Sequence, residues 1–259
     1  MGLVLAVTWH PRGELMRFHR MLPELKAVYS EIVIVIPPHR LLEEAGLEEA
    51  KSLSGRANLF IRPAEEWSFG RSLALETALL TNGEFIHYAD LDRLVRWVET
   101  RPDEWRETCK VIKESECVIM GRTPSAYQTH PNALIQTEAI SNRVVSYFLG
   151  QSMDVSAGSK GFSRKAAEYI VANTAPISAM GTDAQWAITL YRAGFPINYI
   201  EVDGLDWESA DRYMDRAVTA EDQRQAAMQY DEKPENWARR VDIAQEIVNA
   251  AFNLSYIGR

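Results

Sequence analysis

The chain has 259 residues, 46% hydrophobic and 25% charged, an ordinary globular composition with enough apolar material for a sizeable core. Its formal charge of −8 argues against nucleic-acid binding, which depends on Lys and Arg neutralising phosphates. The two cysteines, Cys109 and Cys117, are too few for a disulfide framework or a cysteine-based zinc site, and no apolar run has the length of a signal peptide or a transmembrane segment, so a cytoplasmic location is expected.

Leu3–Thr8 is a short apolar run with a polar loop behind it and reads as a buried first strand. Residues 11–29 follow as a helix that Pro23 is expected to interrupt or bend. Glu31–Ile36 is rich in β-branched residues and stops at Pro37-Pro38, a second buried strand of the kind found in parallel sheets. Residues 41–52 are helical and acidic, and 58–61 form a short third strand. A helix spans 70–82, with Leu73, Ala74, Ala78 and Leu79 on one side and Gly83 as its C-terminal stop. Residues 84–89 make the fourth strand, 94–113 are helical and broken at Pro102, and 117–120 make the fifth strand.

This alternation argues for a parallel α/β sheet with right-handed crossovers, which binds ligands outside the carboxyl ends of its strands. The second half is less regular. It holds a loop over 121–131, a helix over 133–148, a glycine-bearing turn over 156–161, helices over 163–172 and 183–192, and a strand at Ile197–Val202. Beyond about residue 217 the chain is charged and helical, with an amphipathic stretch over 237–252. Two units are expected: residues 1–215 as the α/β body, and 216–259 as a helical extension packed on it.

The fourth strand leads into Asp90-Leu91-Asp92. In extended backbone, side chains two residues apart point to the same side, with Cα atoms about 6.5 Å apart. Two carboxylates can then converge on one hard divalent cation, and that ion can hold a diphosphate and neutralise a departing phosphate. The same residues also read as a polar strand end, with Asp92 capping the next helix. Arg93 beside them either reduces the local negative charge or meets a phosphate.

Downstream, Ala157-Gly158-Ser159-Lys160-Gly161-Phe162-Ser163-Arg164 carries glycines, Gly181-Thr182-Asp183 opens a helix, and Arg192-Ala193-Gly194-Phe195-Pro196 leads into a strand. Over residues 3–207 this order of pieces resembles GT-A fold glycosyltransferases, in character with the family-2-like and glucosyl-phosphoglycerate-synthase-like enzymes. The resemblance implies an α/β, Rossmann-like, mostly parallel sheet flanked by helices. It also implies a nucleotide-diphosphate sugar donor, a small-molecule or glycan acceptor, and Mg²⁺ or Mn²⁺ held by Asp90 and Asp92. Asp183 would stand beside the acceptor hydroxyl. This chain departs from the pattern where Asp183 follows Thr182 rather than Glu, and no Gln-x-x-Arg-Trp signature is present. No His follows His130, so a third protein ligand would be Asp206 or Glu208, or water would take its place.

Each remaining candidate has a functional and a structural reading. Thr8 and Trp9 follow the first strand, where the resemblance places the nucleotide, and Trp9 can stack on a base or pack in the core. Arg71 and Lys160 are donor-side candidates that can meet a diphosphate. Tyr127, His130, Gly158 and Arg164 are acceptor-side candidates. Asp183 is a general base for the acceptor hydroxyl or simply a helix cap. His87, Cys109 and Cys117 read as structural. Metal-assisted sugar transfer is the expected activity. Its rivals are nucleotidyl transfer, weakened by the single glycine in Thr8-Trp9-His10-Pro11-Arg12-Gly13, and a GT-A-like domain that binds without turnover. Trp237, Ile247 and Phe252 pack on the body or make a homodimer contact.

Overall fold

The computed structural model describes residues 2–256. In chain order its elements begin with β1 (Leu3–Thr8), α1 (Leu15–Val28), β2 (Glu31–Ile36), α2 (Glu44–Leu53), β3 (Leu59–Pro63) and α3 (Gly70–Ala78). They continue with β4 (Phe85–Asp90), α4 (Leu91–Thr100), α5 (Pro102–Ile112), β5 (Cys117–Arg122), α6 (Pro124–Tyr127) and α7 (Asn132–Leu149). The last six are β6 (Ser159–Ser163), α8 (Arg164–Asn173), α9 (Thr182–Arg192), β7 (Ile197–Val202), α10 (Ala220–Asp231) and α11 (Pro234–Tyr256). The strands form one sheet in the order β3-β2-β1-β4-β6-β5-β7. Helices cover both faces, and α10 and α11 form the C-terminal extension. This is the expected architecture. Among the described residues no helix is long and apolar enough to cross a membrane.

The sheet is parallel except at β6, which runs antiparallel between β4 and β5. The sequence reading made 156–161 a turn. Ser159-Lys160-Gly161-Phe162-Ser163 has little strand propensity of its own, but pairing on both edges overrides it. Gly161 fits because a Cβ there would lie 2.6 Å from Ile112 Cγ1.

Other boundaries shift for local reasons. α1 starts at Leu15 and runs through Pro23 unbroken. The proline costs one backbone hydrogen bond, and Phe18, Leu22 and Leu25 anchor the helix on the sheet. α3 ends at Ala78 rather than near Asn82. Gly83 serves close packing, since a Cβ there would meet Val4 Cγ2 at 2.2 Å. Pro102 opens α5 at the first helical position, where its missing N–H costs nothing. The loop predicted over 121–131 is shorter, because Gly121 and Arg122 belong to β5 and residues 124–127 form α6.

The core has two layers. On one face of the sheet Leu3, Leu5 and Val7 meet α1, α4 and α5. On the other, Val4, Ala6, Ile86, Tyr88 and Phe162 meet α3, α7, α8, α9 and α11. Cys109 and Cys117 are free and buried.

Candidate active site

The site follows from strand register. Thr8 pairs with Asp90 across β1 and β4, and Tyr88 pairs with Lys160 across β4 and β6. Two-residue alternation turns Thr8, Tyr88, Asp90 and Lys160 to the same face, which α3 and α9 cover. The first turn of α3 contributes Arg71 and the first turn of α9 contributes Asp183.

These residues interlock. Arg71 donates from Nη2 to Asp90 Oδ2 at 2.9 Å and from Nη1 to Asp183 Oδ2 at 3.0 Å. Lys160 Nζ donates to Asp183 Oδ1 at 2.6 Å and to the Val155 carbonyl at 3.1 Å. Asp90 Oδ1 accepts from the Thr8 hydroxyl at 3.0 Å and the Tyr88 hydroxyl at 2.7 Å. Arg71, Lys160 and Asp183 are buried. Two cations and two anions cancel, which offsets a desolvation cost of several kcal/mol per ion. Burial works to raise the Asp90 pKa, but the Arg71 and Arg93 charges and the two hydroxyls outweigh it and hold the carboxyl below its ordinary value.

Gly158 lies beneath Asp90. Its φ of +71° is left-handed, and a Cβ there would come within 2.7 Å of Asp90 Oδ2. Only glycine allows this approach without strain. Arg93, from α4, donates to the Ala157 carbonyl, and its Nε lies 3.3 Å from Glu208 Oε2.

Asp92 does not stand where an extended strand would put it. β4 ends at Asp90 and α4 starts at Leu91, so the two carboxylates straddle a strand-to-helix junction. Asp92 Oδ1 accepts the Arg93 backbone N–H at 2.9 Å, and among the described residues it forms no ion pair. Burial, followed by the negative charges of Glu208, Asp90 and Glu14, pushes its pKa up to about 7.

The donor set does not suit the divalent cation that the sequence reading assigned to Asp90 and Asp92. Asp90 is already engaged by Arg71, Thr8 and Tyr88. Asp206 is held bidentately by Arg96, at 2.8 and 2.9 Å, and Glu208 faces Arg93. Among the described residues no group of three or more His, Cys, Asp or Glu side chains is placed to hold a metal.

Thr8, Trp9, Arg71, Asp90, Asp92 and Asp183 all border one cleft of about 320 Å³ at the carboxyl ends of β1 and β4. Lys160 stands behind Asp183. The sequence reading missed most of the rim. Trp67, in edge-to-face contact with His10 at 6.2 Å, is one omission. Arg12, Arg212, Arg239 and Arg240 are others, and the last two come from α11. Their spread over some 230 positions leaves no local motif to read.

Of the other candidates, Tyr127, His130 and Arg164 lie away from the cleft, and Trp9 borders it without offering its ring. Trp9 is 1% exposed, its ring in the core and its Nε1 donating to Glu14 Oε2 at 3.1 Å, so it has no free face for a base. Tyr127 lies under the Arg122 guanidinium, 4.4 Å from ring centre to cation, within an ion cluster of Arg122, Asp154, Glu138 and Arg240 that ties α7 to α11. His130 is buried with Nδ1–H donating to the Ala126 carbonyl at 3.1 Å, and it borders a separate cavity beside α10. Burial and nearby arginines hold its pKa well below the ordinary value. Arg164 follows Ser163, which pairs with Phe85 at the start of β4, the end of the sheet opposite Asp90. There it donates to the Gly83, Leu79 and Thr81 carbonyls after α3, as cations do at helix C-termini.

No protein-family model matches the chain, and no curated protein matches it. Solved structures match most of the chain at low identity. Mannosyl-3-phosphoglycerate synthase from Rubrobacter xylanophilus is 13% identical with a TM-score of 0.49, over 93% of this chain and 74% of its own. Glucosyl-3-phosphoglycerate synthase from Mycobacterium tuberculosis, in complex with Mn²⁺, uridine-diphosphate-glucose and phosphoglyceric acid, is 9% identical with a TM-score of 0.41, over 93% and 80%. 4-Diphosphocytidyl-2C-methyl-D-erythritol synthase from Anaerococcus prevotii is 13% identical with a TM-score of 0.46, over 90% and 99%.

Proposed function

We propose that the chain is a cytoplasmic glycosyltransferase that takes a hexose from a nucleotide-diphosphate sugar and passes it to a hydroxyl acceptor. The supporting observation is the convergence of Thr8, Arg71, Asp90 and Asp183, from four separate segments, on the floor of one cleft, with Lys160 from a fifth segment behind Asp183. Charged floors of this kind hydrogen-bond sugar hydroxyls, and the half-buried Trp67 beside His10 offers an aromatic surface for a base.

In this reading Asp92, not Asp183, is the base. Asp183 is engaged through both oxygens by Lys160 and Arg71, which suits a group that orients a hydroxyl. Asp92 is the cleft carboxylate without an ion pair, and a pKa of about 7 matches proton acceptance at neutral pH. The acceptor oxygen forms a bond to the anomeric carbon as its proton passes to Asp92. The bond from that carbon to the diphosphate oxygen breaks, and the electron pair leaves with the nucleoside diphosphate. No step requires a bound metal.

Isothermal titration of the purified protein with UDP-, GDP- and ADP-sugars, with and without Mn²⁺, tests the reading. Binding of one donor and its hydrolysis or transfer are expected. No binding across the panel rejects it, and release of pyrophosphate from a nucleoside triphosphate with a sugar phosphate marks nucleotidyl transfer instead.

A further inference from the structure

The rim of the cleft holds three guanidinium groups that the floor does not neutralise. Arg12 comes from the loop after β1, Arg212 from the end of the 3-10 turn at Glu208–Asp211, and Arg239 from α11. The other cations here already have carboxylates: Arg71 has Asp90 and Asp183, Arg93 has Glu208, Arg240 has Glu138. Among the described residues Arg12, Arg212 and Arg239 form no ion pair. Among the described residues Arg212 donates to the Ser209 hydroxyl alone, at 3.2 Å.

The backbone holds two of these like charges side by side. The Tyr213 N–H donates to the Arg12 carbonyl at 2.9 Å. The segments approach so closely that a Cβ on Gly13, whose φ is +89°, would lie 2.7 Å from Tyr213 Cα. Tyr213 itself sits at φ +60°, a left-handed conformation that is unfavourable for a bulky L residue. Burial, then Arg212 and more weakly Arg239, lower the Arg12 pKa, while Asp92 and Glu14 oppose them. The rim therefore collects positive charge at a conformational cost, and among the described residues no carboxylate is ion-paired with these three groups. Of the carboxylates offered to a divalent cation, Asp90, Asp206 and Glu208 are meanwhile engaged by Arg71, Arg96 and Arg93, which leaves Asp92 alone.

We propose that Arg12, Arg212 and Arg239 form a seat for the donor's diphosphate and neutralise it in place of a divalent cation. Guanidinium forks match phosphate oxygens with paired, charge-assisted hydrogen bonds, and three of them offset the charge that develops on a departing diphosphate. The inference rests on the nucleotide-sugar reading above, and its test separates the two.

The experiment titrates inorganic pyrophosphate into the purified protein in EDTA, with Mn²⁺ in a parallel arm and orthophosphate as the second probe. Pyrophosphate is expected to bind in EDTA, and Arg12→Gln and Arg239→Gln are each expected to weaken it about tenfold or more. Arg106→Gln, on α5 and outside the cleft, is expected to change nothing. Among the described residues neither Arg12 nor Arg239 carries an ion pair of the fold, whereas Arg106 pairs with Glu24 and Asp103 at the surface, and circular dichroism checks that all the variants fold. Binding that appears only with Mn²⁺, binding unchanged in both variants, or orthophosphate held as tightly as pyrophosphate would each overturn the diphosphate seat. Pyrophosphate binding as expected, with no nucleotide sugar bound, leaves the seat standing and rejects the glycosyltransferase reading.

Discussion

Asp92 and Asp183 show how neighbouring carboxylates take different roles from their partners. Asp183 has two cations, and Asp92 has acidic neighbours with Arg93 turned toward Glu208. If Asp92 is the base, kcat/KM rises with pH through about 7 as the carboxyl loses its proton. Asp92→Asn is expected to abolish that limb and lower kcat about 10²-fold or more, whereas Asp183→Asn retains the limb. Stability carries the same signature. The folded state holds the Asp92 proton up to about pH 7 and the unfolded chain releases it near 3.8. Stability therefore falls as pH rises between these values. Asp92→Asn is expected to raise stability at pH 8 on the order of 1–2 kcal/mol, given partial exposure, and to leave it unchanged at pH 4. Urea denaturation at both pH values checks this. Lys160→Met tests the neutralised floor. It leaves Asp183 with Arg71 alone in a buried setting, and a loss of about 3 kcal/mol is expected in the same assay.

At the scale of elements, the junctions carry the site. The β4–α4 corner sets Asp90 and Asp92 apart, and the 156–158 turn supports Asp90 from below through the Gly158 carbonyl, 3.3 Å from its N–H. Gly158→Ala would strain a positive φ and drive a methyl onto Asp90 Oδ2. An expected loss of about 1–3 kcal/mol, with weaker donor binding, is measurable by denaturation and calorimetry. This scale also marks how far the sequence is legible. Apolar runs such as Leu3–Thr8 and Glu31–Ile36 announce buried strands because burial on both faces demands uninterrupted hydrophobicity. β6 does not announce itself, because its strand state comes from its neighbours rather than from Ser, Lys and Gly. Asp90, Asp92, Arg71 and Asp183 were found as chemistry-bearing residues at strand or helix ends. Their pairing was not, since one guanidinium linking residues 19 and 112 positions away leaves no spacing to recognise. Arg164 shows the converse: the antiparallel course of β6 carries it away from the cleft, and only the strand direction reveals that.

At the scale of the whole molecule, the C-terminal extension closes the cleft rather than decorating it. α11 buries Ile247 and Ala251 against α7 and α9, and the same helix presents Arg239 and Arg240 at the rim. Folding of the helix and assembly of the cleft are therefore expected to be one event. A detachable module would melt separately from residues 1–215. Packing into the shared core predicts a single cooperative transition instead. Ile247→Ala probes this coupling, because Ile247 is 1% exposed and also borders the cleft. Truncating a buried Ile costs about 2–5 kcal/mol through lost burial and the cavity left behind. The loss is expected to shift the whole urea transition with its slope unchanged, not to create a second phase. The variant is also expected to bind nucleotide sugar more weakly, because loosening α11 moves two rim arginines together. A biphasic melt, or an unchanged donor affinity in the destabilised variant, would show that residues 216–259 form an independent appendage and that the cleft is complete without them.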